Sequence, residues 1–120
     1  MKQLVSASAL SKVRKLCASL PDAEEYVMVH HPAFRVSKKP FLIIGMNRGA
    51  TVSVNLGGEV QGDLLQDPRF SRTSYIGQHG WVTVALRELK AAELAELVEQ
   101  SFRRVAGKRR VAALDTRHAR

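Results

Sequence analysis

Apolar residues recur at steps of three and four through Leu10, Val13, Leu16, Cys17 and Leu20, the single stripe of an amphipathic helix. The spacing predicts a helix over Ser8–Leu20, with Lys12 and Lys15 lying away from the stripe. Pro21 ends it, because a proline pushes the residue before it out of the helical region. Glu24 to His30 is ambiguous, with a short strand as one reading.

The period then changes. Ala33–Ser37 reads as a strand, and Lys38-Lys39 as a tight turn before Pro40. Phe41–Met46 is apolar on both faces, as a central strand is. Asn47-Arg48-Gly49 supplies hairpin-turn residues. Thr51–Leu56 alternates: Val52, Val54 and Leu56 to one face, Thr51, Ser53 and Asn55 to the other. Gly57-Gly58 breaks the sheet, and a short helix over Glu59–Gln66 closes at Asp67-Pro68. Thr73–Ile76 reads as a fourth strand. Trp81–Leu86 reads as a fifth, with Val82, Val84 and Leu86 opposite Trp81, Thr83 and Ala85.

The last helix spans Ala91–Ala106, its stripe formed by Leu94, Leu97, Val98, Phe102 and Val105. Glutamates precede arginines along it, which complements the helix dipole, and Gly107 is a natural stop. The order is α-β-β-β-α-β-β-α. It predicts an α+β two-layer sandwich: an antiparallel sheet of about five strands covered by helices on one face only. Residues 1–106 form one domain and residues 107–120 a basic tail.

With 120 residues, the chain can bury a core without metal or disulfide. Its one cysteine, Cys17, excludes an internal disulfide and fits a reducing compartment. The start of the chain lacks the apolar run of a signal peptide, and no stretch is apolar enough to span a membrane, so a cytoplasmic protein is expected. Charge changes the picture more. The net charge is +8, and the tail from Gly107 carries five cations against one acid, half of that total. Such a chain attracts polyanions in a salt-sensitive way.

Candidate chemistry falls on the open face and the loop tips. The alternation sets Arg35, Ser53, Asn55, Trp81 and Thr83 on the face away from the helices. There an arginine can pair with phosphate and an indole can stack on a base. Lys38, Lys39 and Arg48 sit at hairpin tips that can reach a duplex backbone. Lys108, Arg109 and Arg110 form a further phosphate-contacting cluster. Plainer readings compete: Trp81 opens its strand and large aromatics are usually buried, and charged loop tips and tails are usually solvated. His30, His31 and His79 do not make a metal site, because adjacent side chains on a strand point apart. Cys17 lies on the apolar stripe and reads as a buried structural thiol. Gly57-Gly58 lacks the lysine and Ser/Thr of a phosphate loop. No catalytic constellation is visible, so no enzyme, metal or cofactor is expected.

Two segments carry a family resemblance. The first runs from His31-Pro32-Ala33-Phe34-Arg35-Val36 through Ser37-Lys38-Lys39-Pro40-Phe41. The second holds Asp67-Pro68-Arg69-Phe70 and then Tyr75-Ile76-Gly77-Gln78-His79-Gly80-Trp81-Val82-Thr83-Val84. With flanks from Val13 to Pro21 and from Glu96 to Arg109, the chain resembles the MmcQ/YjbR family, small bacterial proteins usually described as DNA-binding. The resemblance implies a frataxin-like or secretion-chaperone-like sandwich and a DNA partner. Many relatives carry a lysine near the end of the third strand, where this chain has Asn55, and prolines where it has Thr73-Ser74. The expected function is therefore a non-catalytic DNA-binding protein that contacts phosphate through Arg35, Lys38, Lys39, Arg48 and the tail. The alternative is a protein-interaction or homodimerisation module built on the open face around Trp81.

Overall fold

The computed structural model describes residues 7–118. The N-terminal stretch read above for a signal peptide begins, and Arg120 of the basic tail lies, outside the described residues. Among the described residues the order is α1 (Ala7–Cys17), β1 (Glu24–Met28), β2 (His31–Val36), β3 (Lys39–Met46), β4 (Ala50–Asn55), α2 (Gly57–Leu64), β5 (Phe70–Arg72), β6 (Trp81–Ala85), α3 (Ala91–Ala106) and α4 (Lys108–His118). The strands form one antiparallel sheet in the order β1-β2-β3-β4-β6-β5. The α+β sandwich is therefore the fold, with six strands where five were expected.

The helix layer covers one face. Val13 and Cys17 of α1, Leu94, Leu97, Val98 and Phe102 of α3, and Leu114 of α4 pack on inward residues of β2, β3, β4 and β6. Phe41 and Phe102 meet edge to face, centroids 5.5 Å apart at 83°. Burying each such side chain contributes roughly 1.5–3 kcal/mol relative to exposure.

Several boundaries differ from the sequence reading; α2, expected over Glu59–Gln66, spans Gly57–Leu64, so Gly57-Gly58 opens the helix rather than preceding it. Helix α1 stops at Cys17, and Ser19 and Leu20 close it with tighter bonds to the Leu16 and Cys17 carbonyls. The ambiguous stretch after Pro21 is the edge strand β1. The β2–β3 turn is Ser37-Lys38, both with positive φ, rather than Lys38-Lys39. The shift follows from Pro40, which has no N–H for the ladder. Arg35 pairs with Pro40 and Phe34 with Leu42, so Phe41 is an extra bulged residue. The bulge turns Phe41 into the core beside Leu42. Finally, β5 is Phe70–Arg72, not Thr73–Ile76. Tyr75 holds a φ of 67°, and the Ile76 N–H turns back to the Ser74 carbonyl, so this β-prone stretch is a loop.

The tail is helical. Leu114 is buried, Arg110 pairs with Asp22, and Arg103 of α3 pairs with Asp115.

Candidate nucleic-acid interface

The first and last strands of the sheet, β1 and β5, are its edges, and the face away from α1 and α3 is open. The expected site residues separate on this frame into three groups. Lys38 and Lys39 are exposed at the β2–β3 turn. Lys108 and Arg109 are exposed where α4 begins. These two pairs share one end of the sheet. Helix α3 ends beside the exit of β4, where Arg104 Nε donates to Asn55 Oδ1 at 3.1 Å, and antiparallel β3 enters at that same end. None of the four has an acidic partner among the described residues.

Arg48 lies elsewhere. It occupies the β3–β4 loop, a strand length from Lys39, roughly 23 Å at about 3.3 Å per residue. Hairpin tips that look alike in sequence therefore point to opposite ends of the sheet, because consecutive turns of a meander alternate.

Arg35 and Arg110 are engaged. Arg35 Nε donates to Glu24 at 2.9 Å and its guanidinium lies 4.5 Å from the centre of the Tyr26 ring. Burial pushes the Tyr26 hydroxyl up, against the opposing pull of Arg35. Arg110 Nε donates to Asp22 at 2.9 Å and its Nη1 to the Ala106 carbonyl.

Trp81 is corrected. Only 4% of it is exposed, because α2 and the turn Gly77–His79 pack against the start of β6. Gln61 Nε2 pins that turn by donating to the carbonyls of Gly77 and Trp81 at 2.6 and 2.9 Å. The indole cannot stack on a base or present a partner surface from there. Asn55 is also not free on the open face: its Oδ1 accepts from Gly57 N–H and Arg104.

The aromatic that does face solvent is Tyr75, at 94% exposure. It lies on the rim of a cleft of about 520 Å³ over the open face, with Ile43, Gly45, Ser53 and Thr83 on its floor. Ser53 and Thr83 hydroxyls lie 2.7 Å apart, and Thr73 adds a third at 2.9 Å from Thr83. A second cleft of about 390 Å³ holds Arg48 and Arg87 and shares Asn47, Thr51, Ser71 and Thr83 with the first. Sequence reasoning missed Arg87, and missed Tyr75 as a nucleic-acid contact. Exposed loop position was the signal for Tyr75, but its β-prone neighbours outweighed it.

Other groups take structural roles. Burial pushes the Cys17 thiol up to about 12, so it is neutral and inert at physiological pH. Among the described residues no three or more His, Cys, Asp and Glu side chains gather to hold a metal ion. Among them, too, no helix is long and apolar enough to cross a membrane.

Comparison with known proteins adds two findings. A sequence profile of the YjbR family matches residues 18–104. A crystal structure of a Pseudomonas syringae protein from a structural-genomics programme superposes with a TM-score of 0.63 at 20% identity, covering 78% of this chain and 95% of that one. At that identity the likeness concerns the fold alone. No curated protein matches the chain.

Proposed function

The chain belongs to the YjbR family, and from that premise we propose that it is a cytoplasmic DNA-binding protein, not an enzyme, that holds phosphate through the basic end of its sheet. The observation that carries this reading is the pairing pattern of its cations. Arg14, Arg35, Arg69, Arg103 and Arg110 are engaged in ion pairs. Among the cations that lack an acidic partner among the described residues, Lys38, Lys39, Lys108 and Arg109 are all exposed and gather at one end of the sheet. Cations without internal partners are the ones that a polyanion neutralises with release of counterions. Contacts of this kind fix position on the backbone and carry no base preference. Arg48 is a separate contact at the far end.

The test is binding of labelled duplex DNA, read by fluorescence anisotropy from low to physiological salt. Lys38→Glu with Lys39→Glu should weaken binding to all sequences alike. The slope of log affinity against log salt should shrink by about 0.9 for each phosphate contact removed. Lys108→Glu with Arg109→Glu should act in the same direction. Duplex binding unchanged by both pairs of reversals would sink the reading.

A further inference from the structure

The two clefts on the open face share four lining residues and so form one groove from Tyr75 to Arg87. No aspartate or glutamate lines either part. Four arginines do, Arg48, Arg69, Arg72 and Arg87; Arg69 is held by Asp67 and Glu93, and the other three have no acidic partner among the described residues. Their positions are set by the fold. Arg87 Nη1 donates to the Arg48 carbonyl at 2.8 Å, which ties the segment after β6 to the β3–β4 loop. Arg72 stands opposite Val82 in the β5–β6 ladder, so its side chain leaves on the helix-covered side, over Gly77, where a Cβ would come within 3.3 Å of its Nε. Between Tyr75 and Arg87 the floor is a row of hydroxyls, neutral groups that both donate and accept. At one rim stands Tyr75, held out by a left-handed backbone that a tyrosine rarely adopts.

An occupant of this groove is anionic, carries repeated charge, and has a flat apolar unit for the ring. We propose that the groove binds a short single-stranded nucleic-acid segment, with one base stacked on Tyr75 and phosphates on Arg48 and Arg87. This rests on the nucleic-acid reading above and deepens it, because it assigns single strands to the open face and duplex to the basic end. The two clefts, about 520 and 390 Å³, are the size of sites that hold a nucleotide-sized unit each.

The experiment titrates the full chain into three labelled probes at physiological salt: an oligothymidylate of about ten nucleotides, a duplex of the same length, and an oligoglutamate peptide. Tyr75→Asn removes the ring while suiting the left-handed backbone, and Tyr75→Phe keeps the ring. Tyr75→Asn should weaken oligothymidylate binding roughly tenfold and leave duplex binding unchanged. Tyr75→Phe should bind as the parent chain does. Arg48→Glu with Arg87→Glu should weaken the single strand more than Lys38→Glu with Lys39→Glu does. Oligothymidylate binding indifferent to Tyr75→Asn and to the Arg48/Arg87 reversal would overturn the groove, even with duplex binding intact. Tighter binding of oligoglutamate than of oligothymidylate would overturn it in favour of an acidic peptide. Failure of both nucleic acids to bind would remove the parent reading as well.

Discussion

Gly80 lies so close to Gly57 that a Cβ on Gly80 would come within 2.6 Å of the Gly57 Cα. Both backbones have positive φ, 96° and 85°. The Leu56 N–H donates to the Gly80 carbonyl at 3.0 Å, so the contact locks the exit of β4 to the entry of β6. Gly80→Ala puts a methyl into backbone atoms that cannot yield. The left-handed conformation alone costs of order 1–3 kcal/mol for a residue with a side chain, and the clash adds to it. Chemical denaturation should show a loss of at least that size. Gly58→Ala, where nothing lies within 4 Å of a Cβ, is the control and should be neutral or stabilising.

That contact explains part of what was legible in the sequence. Gly80-Trp81 carries the family resemblance, and its physical content is packing: a close backbone approach and a buried indole. Asp67-Pro68-Arg69-Phe70 is similar, since Arg69 clamps the start of β5 to the start of α3. The two long helical stripes and the alternation in β4 and β6 predicted the layers, because burial on one face forces period and face to agree. Less legible was anything set by left-handed turns without glycine. Ser37-Lys38 and Tyr75 carry positive φ on residues with no such preference, imposed by the Pro40 bulge and by the loop crossing the open face. The same limit hid the groove, because Arg48 and Arg87 meet only once β4 and β6 pair in the sheet. The pattern left the docking of the tail undecided, since Leu114 is the single fully buried apolar residue among its described residues.

Ser101 illustrates a dependence that no pattern exposes. Phe41 is the extra residue of the bulge, so its carbonyl needs a partner outside the regular ladder. The Ser101 hydroxyl donates to it and accepts from the Asn55 N–H at 2.9 Å, with Ser101 fully buried. Ser101→Ala leaves a buried acceptor and a buried donor unpaired, which costs about 1–3 kcal/mol. Urea denaturation should show that loss with an unchanged slope. An unchanged midpoint would mean that water reaches the bulge.

Acid should loosen the clamp around Arg69. Its guanidinium contacts Asp67 at 2.9 Å and Glu93 at 3.2 Å. Hydrogen bonds from Arg69 hold the Asp67 carboxyl below its ordinary 3.8, and the Lys90 N–H, then Arg69, hold Glu93 below its ordinary 4.5. Folded-state values below the unfolded ones mean stability that is present above the unfolded values and lost as pH falls through the folded ones. The thermal midpoint should therefore fall as pH drops below 4.5. Arg69→Gln should lower the midpoint by a few degrees at neutral pH and flatten the acid fall. Equal acid slopes in the two proteins would show that other carboxylates govern it.

Charge and fold separate cleanly in α4, because different residues carry them. Leu114 is 1% exposed in the core, Arg110 reaches Asp22, Asp115 accepts from Arg103, and Arg117 donates to the Ser19 carbonyl. Lys108 and Arg109 stand in solvent at its start. Ending the chain at Gly107 removes both sets at once. Loss of the Leu114 side chain alone is comparable to a buried leucine-to-alanine change, about 2–5 kcal/mol. Truncation should thus lower the thermal midpoint by many degrees, and weaker DNA binding by the shortened chain would report unfolding as much as lost charge. Lys108→Glu with Arg109→Glu touches only exposed side chains, so stability should stay within about 0.5 kcal/mol while duplex affinity falls. A truncated chain that melts with the full chain would show that α4 is not docked in solution, and would return its cations to a solvated tail.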